Sequence, residues 1–198
     1  MQHEQQLSKE ESLEIIHQMI GQAKTNITDN GLSWLLWGSL LFLTSLSTYI
    51  FIDIGSDNIY LGWNIFGLIS ILLLAYDIFK PKKKLVKTYI DDVLKWVDIG
   101  FMICLFTVIL SINISVSPNV GFGFFLMIFA FLMIVKGGAI KSWALKAGAL
   151  INWAGAIGIF FCTVFKYDML IMAATILTGY ILPGLVLWLQ HKKSKKTL

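Results

Sequence analysis

Residues 32 to 52 read LSWLLWGSLLFLTSLSTYIFI, 21 positions without one charged side chain. A helix rises 1.5 Å per residue, so about 20 apolar residues cross a hydrocarbon core roughly 30 Å thick. Five more uncharged runs follow: Ile59 to Tyr76, Ile99 to Val116, Val120 to Val135, Ala147 to Phe165 and Met169 to Gln190. The six runs hold 114 of the 198 residues. The chain is 57% apolar and 14% charged, with a mean hydropathy of +0.73, whereas soluble domains are about 25% charged. A soluble globule is excluded.

Outer-membrane strands alternate apolar and polar residues over about ten positions, and these runs do not alternate. A helix satisfies its own backbone hydrogen bonds, which lipid cannot do. The expected fold is therefore an all-α membrane protein. A six-transmembrane-helix bundle over 32–190 follows a cytosolic amphipathic helix and connector (1–31) and precedes a basic cytosolic tail (191–198). The fourth run reaches spanning length only by starting near Val116 to Asn119, where Pro118 suits a first helical turn.

Charge sets the expected orientation. Arginine is absent, and 14 lysines, from Lys24 through the Lys80 to Lys87 cluster to Lys196, fall on one side of the six spans, against Lys166 alone on the other. By the positive-inside rule both termini are expected in the cytosol, with short outer turns at Asp53 to Asn58, Ser117 to Asn119 and Lys166 to Asp168. Trp34, Trp37, Trp96, Trp143, Trp153 and Trp188 near one set of ends, and Tyr49, Tyr60, Trp63 and Tyr167 near the other, read as interfacial anchors. The net charge of +4 comes from these scattered lysines, with no nucleic-acid motif beside them. The lipid bilayer is the expected partner, and nucleic acid is not.

Ahead of the first run, Ser8-Lys9-Glu10-Glu11 is a capping box. Leu13, Ile16, Ile20, Ala23 and Ile27 then recur at spacings of three and four, one apolar stripe of an amphipathic helix. Segment 8–27 carries two lysines against three glutamates, which does not suit reading anionic lipid. The stripe through Leu13, Ile16, Ile20 and Ile27 is expected to pack beneath its own bundle or to dock a cytosolic protein partner; a homo-oligomer is a further expected association. The stretch Glu11 to Gly38, ESLEIIHQMIGQAKTNITDNGLSWLLWG, resembles the start of an uncharacterised family of small six-span bacterial inner-membrane proteins with a short cytosolic helix, an Asn-Gly and a first span opening Leu-Leu-Trp-Gly. The resemblance implies a multi-pass protein of the bacterial plasma membrane and carries no catalytic or binding residue.

Polar side chains within spans are the default place to look for function, since burying one in lipid without a partner costs several kcal/mol. Asp77 closes the second run, Asp98 opens the third, Lys136 ends the fourth, Asn152 lies inside the fifth and Asn64 in the outer half of the second. Asp77 and Lys136 can reach the headgroups. Asp98 is expected to pair as a buried ion pair with Lys95 or Lys136, and Asn152 and Asn64 to hydrogen-bond between helices. Glycines, among them Gly62, Gly67, Gly137, Gly148, Gly155, Gly179 and Gly184, allow close helix contact. Pro183 removes a backbone bond within the sixth run and is a candidate kink. Trp34-x3-Gly38 recurs as Trp96-x3-Gly100, and Gly62-x4-Gly67 as Gly179-x4-Gly184, spacings that either a parallel repeat or chance among sixteen glycines would produce.

His3, His17 and His191 lie outside the runs, so no intramembrane metal site is expected. Cys104 and Cys162 differ in depth by about 9 Å and read as small apolar fillers, not a disulfide. No dinucleotide, Walker A, zinc-protease or hydrolase motif occurs, so no cofactor and no enzymatic reaction are expected. The expected function is a membrane-embedded sensor or regulatory scaffold. The alternative is a small transporter or channel with a polar cavity near Asp98 and Asn152.

Overall fold

A computed structural model describes residues 31–79, 89–114 and 116–194, and every element it describes is helical. The helices are α1 (Leu32–Asp53), α2 (Leu61–Phe79), α3 (Tyr89–Ile114), α4 (Pro118–Ala139) and α5 (Trp143–Phe161). A last rod follows, made of α6 (Phe165–Ile176), a π-helical turn (Leu177–Ile181) and α7 (Leu182–Ser194). Five helical stretches are long and apolar enough to cross a membrane: Leu32–Asp53, Asp92–Ile114, Pro118–Ala139, Trp143–Phe161 and Phe165–Lys193. In α2 the apolar stretch Leu61–Leu73 is shorter. Five of the six expected runs thus lie in helices of spanning length, and the second lies in a helix whose apolar stretch is shorter. The amphipathic stripe through Leu13, Ile16, Ile20 and Ile27, and the tail past residue 194, lie outside the described residues.

Helix boundaries follow local chemistry. Pro118 starts α4 as its first-turn residue, where the missing N–H has no intrahelical acceptor to lose. Ser142 caps α5 by accepting from the Leu145 N–H at 3.4 Å. Between α4 and α5, Lys141 takes a left-handed φ of 55°, the conformation that ends many helices. One boundary differs from expectation. Lys166 to Asp168 do not form a turn; they are the first turn of α6, and the α5–α6 connection is Cys162 to Val164.

Helices α1 and α2, α3 and α4, and α4 and α5 form antiparallel pairs. A Cβ on Gly62 would strike Ser47, one on Gly121 would strike Ile112, and one on Gly137 would lie 2.8 Å from Leu145 Cβ, so each pair meets across its connection. The centre is formed by α4, α5, α6 and α1 around fully buried Leu126, Met133, Leu145, Ile159, Met169 and Met172. Helix α2 leans on α1, and α3 leans on α4. An aromatic seam ties these flanking helices in. Trp63 of α2 meets Phe122 at a tilt and Phe125 edge-on, at ring distances of 4.7 and 5.5 Å, and Phe101 of α3 meets Phe129 edge-on at 5.0 Å. Phe129 also meets Tyr180 at 5.7 Å, and Tyr180 meets Trp34 at 5.1 Å. Each such pair contributes about 0.5–1.5 kcal/mol beyond the area it buries.

This packing corrects one expectation and decides between two alternatives. Trp34 is not an interfacial anchor: it is buried against Tyr180, and Gly38 packs on the same ring. Trp96 faces outward and Gly100 has nothing within 4 Å, so the two Trp-x3-Gly copies occupy unlike environments and mark no structural repeat.

Candidate functional site

The expected intramembrane polar residues do not converge. Asp98 and Lys136 do meet, with Nζ 2.7 Å from Oδ1, and the Lys136 ammonium also lies 5.9 Å from the Trp34 ring centroid. Lys136 therefore ties α3 to α4 and α1 at the lysine-bearing end of the bundle. The Asp98 side chain is 48% exposed, so the pair lies on the surface of the protein and is not enclosed between helices as expected from its apolar neighbours. The reason is that α3 packs against α4 alone, which leaves the rest of its surface uncovered by protein among the described residues.

Asn152 is fully buried and sits six residues, about 9 Å, deeper along α5 than Lys146, which lies beside Gly137 and so level with Lys136. Its Nδ2 donates to the Gly179 carbonyl at 2.9 Å and to the Gly148 carbonyl at 2.8 Å, and lies 3.4 Å from Met133 Sδ. Two carbonyl acceptors fix which end of the amide faces them. In an α-helix the Gly179 carbonyl would accept from residue 183, and Pro183 has no N–H to give. The chain answers with a π-helical turn over Leu177–Ile181, closed by the Leu182 N–H on the Leu177 carbonyl, and with Asn152 reaching across from α5. The crossing is close because both helices carry glycine there. A Cβ on Gly148 would strike the Gly179 carbonyl and lie 2.7 Å from Pro183 Cγ. Asn152 Oδ1 is buried without a hydrogen-bond partner among the described residues.

Asn64 departs from expectation: it faces outward and makes no hydrogen bond to another helix among the described residues. Asp77 lies in the last turns of α2; its side chain is outside the described set.

Two features of the opposite end were not anticipated. Lys166 pairs with Asp53, and its ammonium lies 5.1 Å from the Tyr49 ring, fastening the start of α6 to the end of α1. Asp168, one turn into α6, is fully buried, and neither carboxylate oxygen has a hydrogen-bond partner among the described residues. The helix N-terminus offers a carboxylate favourable partial charge. A three-residue connection without glycine or proline gave the sequence no signal that this aspartate lies inside a helix.

Cys104 faces outward and Cys162 is half-buried; both are free thiols. Among the described residues no group of three or more His, Cys, Asp or Glu could hold a metal ion. Comparison with protein-family models, with curated proteins and with solved structures gives no match.

Proposed function

We propose that this chain is a six-span protein of a bacterial plasma membrane, with both termini in the cytosol, and that it serves as a membrane-embedded regulatory scaffold or sensor rather than as a conduit. One observation carries the reading: the deepest polar side chain of the expected set, Asn152, is directed at backbone carbonyls of its own and the neighbouring helix and enclosed by Met133, Gly148 and Gly179. A permeation path needs polar groups turned toward a shared space, and here the amide fastens one helix to the next. The bacterial assignment rests on the resemblance over Glu11 to Gly38, and the orientation on the lysine asymmetry. The amino-terminal stripe through Ile16 and Ile20 is the proposed reporting element, held by the bundle or by a cytosolic protein.

The test is flux. Purified protein in liposomes loaded with proton- and cation-sensitive dyes is expected to give rates equal to those of protein-free liposomes. A proton-dependent flux that Asp98→Asn abolishes without loss of folding would establish the transporter reading instead. For orientation, single cysteines at positions 56 and 194, introduced after Cys104→Ser and Cys162→Ser, are expected to label from opposite sides of the membrane. Labelling of both from outside overturns the topology.

A further inference from the structure

On the outer flank of the bundle, α3 and α5 stand apart over α4 and leave an apolar groove of about 450 Å³. Val97, Gly100 and Cys104 form one wall, Phe124 and Phe131 belong to the floor, and Trp153 stands on the other wall. Glycine widens it, since a Cβ on Gly100 would meet nothing within 4 Å, and neither would one on Gly138 of α4 toward the lysine-bearing end. A groove lined this way has no group that would hold water and suits a hydrocarbon chain.

The end of the groove is not neutral. Lys146 precedes Trp153 by seven residues, so it shares that face of α5 and lies about 10 Å nearer the lysine-bearing end. Its ammonium is 5.7 Å from the Trp143 ring. Lys141, exposed in the turn before α5, adds a second cation, and α5 has no acidic residue in its first turn. Neither lysine makes an ion pair among the described residues, whereas Lys136, on another face of α4, is neutralised by Asp98. A helix N-terminus contributes positive partial charge at the same level.

We infer that this groove binds one anionic phospholipid, an acyl chain lying between α3 and α5 and the phosphate held by Lys146 and Lys141 at the start of α5. A second copy of the chain fits less well, because a two-fold contact through this face would set the same unpaired lysines against each other. The inference needs only that the helices lie in a bilayer, so it stands apart from the reading that the bundle conducts nothing.

The experiment uses the full-length protein in detergent, titrated with phosphatidylglycerol or phosphatidylcholine carrying brominated acyl chains, which quench nearby tryptophan. The Trp153 signal is the difference between the unmodified protein and Trp153→Phe. It is expected to be quenched saturably by phosphatidylglycerol at roughly fivefold or more lower concentration than by phosphatidylcholine, about one lysine's worth of attraction at a membrane surface. Lys146→Gln should erase most of that preference. Gly100→Leu, which grows into open space and should leave the melting temperature unchanged, should remove the saturable component. Inorganic phosphate should not displace the lipid, because the chain supplies the hydrophobic part of the binding; displacement by phosphate alone would reduce the site to an anion contact and overturn it. Equal quenching by the two lipids, unchanged quenching in Gly100→Leu, or cross-linking through position 104 into a dimer that shields Trp153 would each overturn it too.

Discussion

If Asn152 stands in for the N–H that Pro183 lacks, the two residues must be energetically coupled, and the sign of the coupling is fixed in advance. Asn152→Ala takes the donor from the Gly179 carbonyl, now 2.9 Å away, in a place where water cannot replace it. A buried polar group left unsatisfied costs about 1–3 kcal/mol, while side-chain hydrogen bonds inside membranes average about 0.6 kcal/mol and reach about 1.7. The amide's own Oδ1 is already without a partner, so its removal gives some of this back. The single variant should therefore lose about 1–2 kcal/mol. In a Pro183→Ala background residue 183 regains an N–H able to reach the Gly179 carbonyl, and the same substitution should cost less by about 1 kcal/mol. The space left by the amide and the lost contact of the Pro183 ring with Gly148 enter both sides of the cycle and cancel. Unfolding of all four proteins in mixed micelles, followed by circular dichroism against the mole fraction of dodecyl sulfate, measures the coupling. Additivity to within about 0.3–0.5 kcal/mol would refute the reasoning, since unconnected sites behave that way.

Three further outcomes can be checked by the same unfolding assay. Asp98→Ala should cost less than about 1 kcal/mol, as expected for a half-exposed ion pair, and Lys136→Ala should cost more because it also removes the contact over Trp34; a loss above about 3 kcal/mol for Asp98→Ala would mean the pair is desolvated in the bilayer. Gly148→Ala, whose methyl would strike the Gly179 carbonyl, should lose about 1–3 kcal/mol, while Gly67→Ala, with nothing within 4 Å, should be neutral. Asp168→Asn should be tolerated or stabilising, because a neutral amide is less costly to bury than a carboxyl without partners. A loss of more than about 1 kcal/mol there would show that the carboxyl has a use the amide cannot fill.

Hydropathy made the helices legible, down to the start of α4 at Pro118, because lipid demands long uncharged runs whatever lies beside them. It could not show which face of a run meets which neighbour. In water an apolar stripe marks the buried side; in a membrane both sides are apolar, and small residues and rare polar ones carry what signal there is. Asn152 was legible for that reason, and so was the choice of Lys95 or Lys136 for Asp98. Asp168 and the Asp53–Lys166 pair were not, because a shift of four residues in the start of the last rod, from Met169 to Phe165, converts a surface turn into a buried first turn. The link from Pro183 to Asn152 was present in the sequence as an orphaned carbonyl at position 179, but only the crossing at Gly148 reveals which helix answers it.

The same contacts say where the bundle is firm and where it is not. Helix α5 meets α4 through Gly137 and Gly123 on one side and the last rod through Gly148 and Gly155 on the other, each glycine admitting a neighbour to a distance that a Cβ would forbid. Packing of that kind has no slack, because a shift that separates one crossing compresses the next. Helix α3 is held differently. It reaches α4 through the Phe101–Phe129 ring pair, the Asp98–Lys136 ion pair and Ile112 over Gly121, while most of its large apolar side chains face outward. Few buried contacts make a low local stability, so α3 is held less firmly than the α4–α5 pair it leans on. The apolar groove lies between this lightly held helix and the firm pair α4–α5. A lipid chain in it would touch both, and any difference in its affinity for two seatings of α3 would appear as a shift in their populations. In a scaffold that reads the membrane, that is where the reading would be transduced.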